Sequence, residues 1–90
     1  MTRDQAELLA LEGLQFIAGD EDQLSRFLAL TGISPADLRE AATSTALLSG
    51  ILDYFMGDEP TLIAFAATRS RKPQDIAIAR EVLSLADRGR

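Results

Sequence analysis

Two acidic runs, Asp20-Glu21-Asp22 and Asp58-Glu59, hold the side chains whose types come nearest to a reactive or ligating site. Hard cations such as Mg²⁺ and Ca²⁺ take carboxylate oxygens, but an EF-hand loop needs a spacing that neither run has. Adjacent acids in a first helical turn also point in different directions. Helix capping and compensation of the helix dipole account for both runs, so no metal is expected. The chain contains no cysteine and no histidine, which removes disulfides, thiolate sites, the commonest metal ligand and the usual base near neutral pH. There is no phosphate-binding glycine-rich loop and no H-E-x-x-H motif. Carboxylate pairs alone would need a cleft that drives their pKa values apart, which short helices around one core seldom leave. No catalytic residue, no cofactor and no enzymatic activity are expected.

Arg69, Arg71 and Lys72 form the one basic cluster in the sequence and are the candidate nucleic-acid contacts. The preferred reading of these cations is placement in the last turn of one helix, where they would complement the negative end of its dipole. A second nucleic-acid signal runs from Leu24 to Ala41, in the rhythm of a helix-turn-helix. Its second helix would open Ser34-Pro35-Ala36-Asp37 and offer Arg39 as its only cation beside Glu40, the wrong charge for phosphate. Nucleic acid is therefore the alternative partner and not the favoured one.

The elements that position these residues repeat along the chain. At an offset of 38, Gly19-Asp20-Glu21, Leu24, Phe27, Pro35 and Asp37 meet Gly57-Asp58-Glu59, Leu62, Phe65, Pro73 and Asp75. The match at helix-boundary residues, and not only at leucines, predicts an internal duplication of two three-helix arms, 4–43 and 44–87, with 88–90 a frayed tail. Helix 1 is read over 4–18, with Leu9, Ala10, Gly13, Leu14, Phe16 and Ile17 inward. Gly13 costs about 1 kcal/mol relative to Ala and so predicts close approach by a neighbouring helix. Asp20 caps helix 2, with Gln23 its capping-box partner, and the stripe Leu24, Phe27, Leu28 and Thr31 follows. Gly32 ends it, and Ser34-Pro35 opens helix 3, with Leu38 and Ala41 inward. Thr43-Ser44-Thr45 caps helix 4, whose inner face is Leu47, Leu48, Ile51, Leu52, Tyr54 and Phe55. Helix 5 runs from Glu59 to about Thr68 on Leu62, Ile63, Phe65 and Ala66. Pro73 opens helix 6, with Ile76, Ile78, Ala79, Val82, Leu83 and Ala86 inward. No stretch alternates with the period of a half-buried strand, so the fold is read as all-α, a bundle of about six short helices in a single domain.

At 90 residues one hydrophobic core can hold such a fold with little surplus stability. The net charge of −5 falls mostly on residues 1–45, where three Arg face eight acids. No apolar run approaches the roughly 20 residues a membrane-spanning helix needs, and nothing at the start resembles a signal peptide, so a cytoplasmic location is expected. Leu8 and Leu11 lie outside the main apolar face of helix 1, among Asp4, Glu7 and Gln15, and are the candidate partner-binding residues.

The run Arg26-Phe27-Leu28, Thr31-Gly32, Pro35 and Leu38-Arg39 resembles the family known as domain of unknown function 3572, small proteins found mainly in alphaproteobacteria. The similarity continues through Leu52-Asp53-Tyr54-Phe55, Glu59, Leu62, Phe65 and the 73–80 segment. The resemblance implies an all-helical cytoplasmic bacterial protein and carries over no catalytic residue. The function expected is a non-enzymatic protein-interaction or regulatory module that binds a protein partner or itself.

Overall fold

Six helices follow one another in the computed structural model, which describes residues 1–40 and 44–88: α1 (Arg3–Ala18), α2 (Glu21–Thr31), α3 (Pro35–Glu40), α4 (Thr45–Met56), α5 (Glu59–Thr68) and α6 (Pro73–Arg88). The all-α class holds, with no strand among the described residues. Ala41, Thr43, the side chains of Glu40, Ala86 and Asp87, and the end of the tail lie outside the described residues.

Local chemistry sets most boundaries. The Thr2 hydroxyl accepts from the Gln5 amide while the Gln5 side chain accepts from the Thr2 amide, so a full capping box starts α1 at Arg3. Asp20 accepts from the amides of Asp22 and Gln23, Ser34 from Asp37, Ser44 from Leu47 and Asp58 from Thr61. Gln23 does not close the expected capping box, because its side-chain oxygen accepts instead from the Tyr54 hydroxyl and ties α2 to α4.

The core is built around α1, α4 and α6, with α6 packed along both of the others. The expected inner face of α4 is buried at all six positions. Phe55 lies at its centre, stacked on Phe65 with ring centroids 4.5 Å apart and tilted against Phe16 at 6.0 Å. Gly13 faces this cluster. A Cβ there would lie 2.7 Å from Phe55 Cε2 and 3.2 Å from Ile51 Cγ2, so glycine is what lets α1 and α4 cross this closely.

Three residues read as inward are not. Thr31 is exposed, its hydroxyl donating back to the Phe27 carbonyl at 2.8 Å. Ile63 is 49% exposed and Ile78 46% exposed. Each lies two residues from a buried neighbour, Phe65 or Ile76, and a helix turns by about 100° per residue, which carries both to the far side. On α5 the inner face is taken by Phe65, Ala66 and the unforeseen Thr61.

Two boundary residues 38 apart share a backbone conformation. Gly32 has φ 71° and Ser70, its counterpart 38 residues on, has φ 54°, so both second helices end on a left-handed residue. Ile51, which Gly13 touches, is Gly13's own counterpart in that register. The third helices differ: α6 has 16 residues against six in α3, and α3 has no packing on α1 or α4 comparable to that of α6 among the described residues.

Candidate functional site

The left-handed turn at Ser70 directs the end of α5 back across α1. The Arg71 amide donates to the Ala66 carbonyl at 2.8 Å, closing a Schellman-type end, and the Arg71 side chain then reaches Glu12. Its Nε and one terminal nitrogen donate to the two Glu12 oxygens at 3.0 and 2.9 Å. Both side chains are half-buried, and this paired hydrogen bond holds the Glu12 carboxyl below the ordinary carboxylate range against the opposing effect of burial. Arg69 adds a bond to Gln15 at 3.0 Å. The basic cluster thus lies at and beyond the C-cap of α5 and not in its last turn, and two of its three cations clasp the α5–α6 corner to α1. Lys72 is exposed, and its backbone amide donates to Asp75 at the start of α6.

The two leucines proposed for partner binding separate. Leu8 is 55% exposed, whereas Leu11 is half-buried and packs against the core. Leu8 lines an open cleft of about 370 Å³ with Met1, Gln5, Arg71 and Asp75. Its walls mix apolar and charged groups, and Leu8 and Met1 are both large exposed apolar side chains. Leu8 and the basic cluster, separate candidates in the sequence, therefore meet at one place through Arg71.

A second cleft, of about 330 Å³, opens between the end of α2 and one face of α4 and was not foreseen. Leu30, the most exposed large apolar residue of the described chain at 69%, stands on one wall, and Gly50 and the Tyr54 ring are on the other. Arg26, paired with Asp58, and Asp53, paired with Arg80, edge it with both signs of charge. Desolvation opposes ionisation of Asp58, but hydrogen bonds from Thr61 and the Arg26 charge outweigh it and lower its pKa. Burial pushes the Tyr54 hydroxyl upward.

This cleft is the counterpart of the clasped corner. In the register of 38, Gly50 corresponds to Glu12, Asp53 to Gln15, Thr31 to Arg69 and Ile33 to Arg71. One corner is closed by arginines on Glu12 and Gln15; at the other, Thr31 and Gly50 face an open space. Gly50 costs about 1 kcal/mol in a helix interior, and unlike Gly13 it has nothing within 4 Å of where a Cβ would stand. The signal for this cleft in the sequence was a mid-helix glycine together with a leucine off the α2 stripe.

Asp20 and Asp58 serve as helix caps, and among the described residues no three acidic side chains converge on a point where a metal would sit. No helix of the described residues is long and apolar enough to cross a membrane. The chain matches, over residues 3–86, the family model described as "Protein of unknown function (DUF3572)", and it belongs to that family. No curated protein and no solved structure matches it.

Proposed function

We propose that this member of the family is a non-enzymatic protein-interaction or regulatory module of the bacterial cytoplasm, with the outer face of α1 around Leu8 as its partner surface. The observation that carries the reading is Leu8 itself, 55% exposed on a well-formed helix and lining a cleft that no other part of the described chain fills. A partner would seat an apolar side chain against Leu8 and Met1 and meet Gln5 and Asp75 at the polar edge. Leu11 belongs to the support of that face, since it packs inward. The test is affinity purification of the tagged, nuclease-treated protein from its native bacterium, with co-purifying proteins identified by mass spectrometry. Leu8→Ser is expected to melt at nearly the wild-type temperature and to lose a specific partner. A partner set unchanged by Leu8→Ser would refute the assignment of the surface. Capture that disappears on nuclease treatment and depends on Arg69, Arg71 and Lys72 would replace it with the nucleic-acid reading.

A further inference from the structure

Three cations crowd the α5–α6 corner, and only Arg71 is matched there by a carboxylate, that of Glu12. Arg69 spends one of its five N–H donors on the neutral amide of Gln15. Lys72 is exposed, and its ammonium takes part in no ion pair among the described residues. Asp75, in the first turn of α6, turns one oxygen back to the Lys72 amide at 3.1 Å, where it answers the positive end of the α6 dipole. The corner therefore presents two uncompensated cations in a chain whose net charge is −5.

These cations stand in line with the exposed apolar groups. Leu8, Glu12 and Gln15 are at i, i+4 and i+7 on α1, so Leu8, the Arg71–Glu12 pair and Arg69 follow one another along about 10 Å of helix. Asp4, exposed and in no ion pair among the described residues, lies one turn before Leu8 and marks the other end of the stripe. The order along α1 is thus acid, leucine, cations. A nucleic-acid backbone would use the cations but would leave the exposed Leu8 and Met1 without a partner, and the negative charge of the chain opposes it. A peptide with an apolar side chain and carboxylates uses both parts of the stripe.

We propose that the partner segment at this surface is an acidic peptide with an apolar anchor: the anchor seats against Leu8 and Met1, and its carboxylates lie on the Arg69 and Lys72 side, away from Asp4, where one takes two of the unused donors of the Arg69 guanidinium. This rests on the α1 surface being the partner surface.

Selection of a random peptide library on phage against the immobilised full chain, followed by fluorescence anisotropy with the enriched peptides as probes, tests it. The enriched peptides are expected to share an apolar residue with Asp or Glu beside it and to lose binding to Leu8→Ser. The Arg69→Gln, Lys72→Gln double variant is expected to bind them about fivefold more weakly. Lys72→Gln alone, which removes no side-chain bond among the described residues, is expected to weaken them in the same direction without a change in melting temperature. A selected peptide with its acids replaced by lysine is expected to bind the Arg69→Glu, Lys72→Glu variant and not the wild type. Peptides that need Leu8 but carry no acids, or that bind the double Gln variant as tightly as the wild type, overturn the charge assignment and leave the α1 surface in place. Peptides indifferent to Leu8→Ser, or a selection that enriches nothing, overturn the surface as well. A duplex DNA probe bound more tightly than any selected peptide would replace the acidic peptide with nucleic acid.

Discussion

Gly13 and Gly50 are both interior helix glycines, so replacing each with alanine isolates the surroundings of a single added methyl group. The intrinsic gain is the same at both, about 1 kcal/mol of helical preference. At position 50 the methyl meets nothing within 4 Å and the gain is kept. At position 13 it would stand 2.7 Å from Phe55 Cε2 and 3.2 Å from Ile51 Cγ2. Phe55 is fully buried and stacked on Phe65 at 4.5 Å, so any shift of its ring disturbs that stack. Overpacking of this kind costs about 1–3 kcal/mol. Net of the shared gain, Gly13→Ala is expected to lose up to about 2 kcal/mol, and Gly50→Ala to gain about 1 kcal/mol. Each kcal/mol moves the melting temperature of a domain this size by about 4–8 °C. The assay is thermal unfolding followed by far-ultraviolet circular dichroism, at low micromolar concentration so that association does not contribute. A Gly13→Ala protein that melts above the wild type would refute the reasoning, because it would mean that α1 and α4 do not cross closely at that residue.

Three further outcomes follow from single contacts. Glu12 titrates below its ordinary value in the folded chain, so its pairing with Arg71 contributes stability above the unfolded carboxylate range and loses it as pH falls through the folded pKa. Glu12→Gln is expected to cost about 1 kcal/mol at neutral pH, with the deficit against wild type shrinking below a pH of about 4; a deficit constant across a pH series of melting curves would contradict the paired geometry. Tyr54→Phe removes the hydroxyl that donates to Gln23 and should cost about 1 kcal/mol in urea unfolding, and no loss would mean that α2 is not tied to α4 there. Ser70 holds φ 54°, a conformation that burdens any residue with a Cβ, so Ser70→Gly should raise stability by about 0.5–1 kcal/mol in the same assay, and a fall would show that the hydroxyl outweighs the strain.

The parts of the fold legible in the sequence were those decided within a few residues. Asp20, Ser34, Ser44 and Asp58 accept from amides of their own first turns, Pro35 and Pro73 stand at first helical positions, and α2 to α6 start at those residues or directly after them. The face of α4 was legible because one side is apolar and the other carries Ser49 and Asp53. On α5 the apolar residues run round the helix, so periodicity could not rank Ile63 against Phe65; the packing of α4 and α6 decides it. Gln23 had two competent acceptor roles, and the choice depended on Tyr54, 31 residues away. The basic cluster was misplaced for the same reason. Nothing near Arg71 in sequence announces Glu12, 59 residues distant, and so the clasp was invisible until the chain was folded.

That clasp also distinguishes the corner at Ser70 from the corner at Gly32. The chain turns left-handed corners at Gly32 and at Ser70; the first lies beside α4 and the second beside α1. Where the corner carries arginines and the facing helix carries Glu12 and Gln15, the contact closes on itself, and the Arg71 and Glu12 charges are no longer available to a partner. Where the equivalent positions are Thr31, Ile33, Gly50 and Asp53, no pair forms across the gap, the Leu30 side chain stays outside, and a recess remains. The two corner residues have similar φ, 71° at Gly32 and 54° at Ser70, while the side chains around them differ. An exchange at the open corner should therefore close it: an acid at Gly50 facing an arginine at Ile33, the counterparts of Glu12 and Arg71, would copy the clasp and occupy the recess.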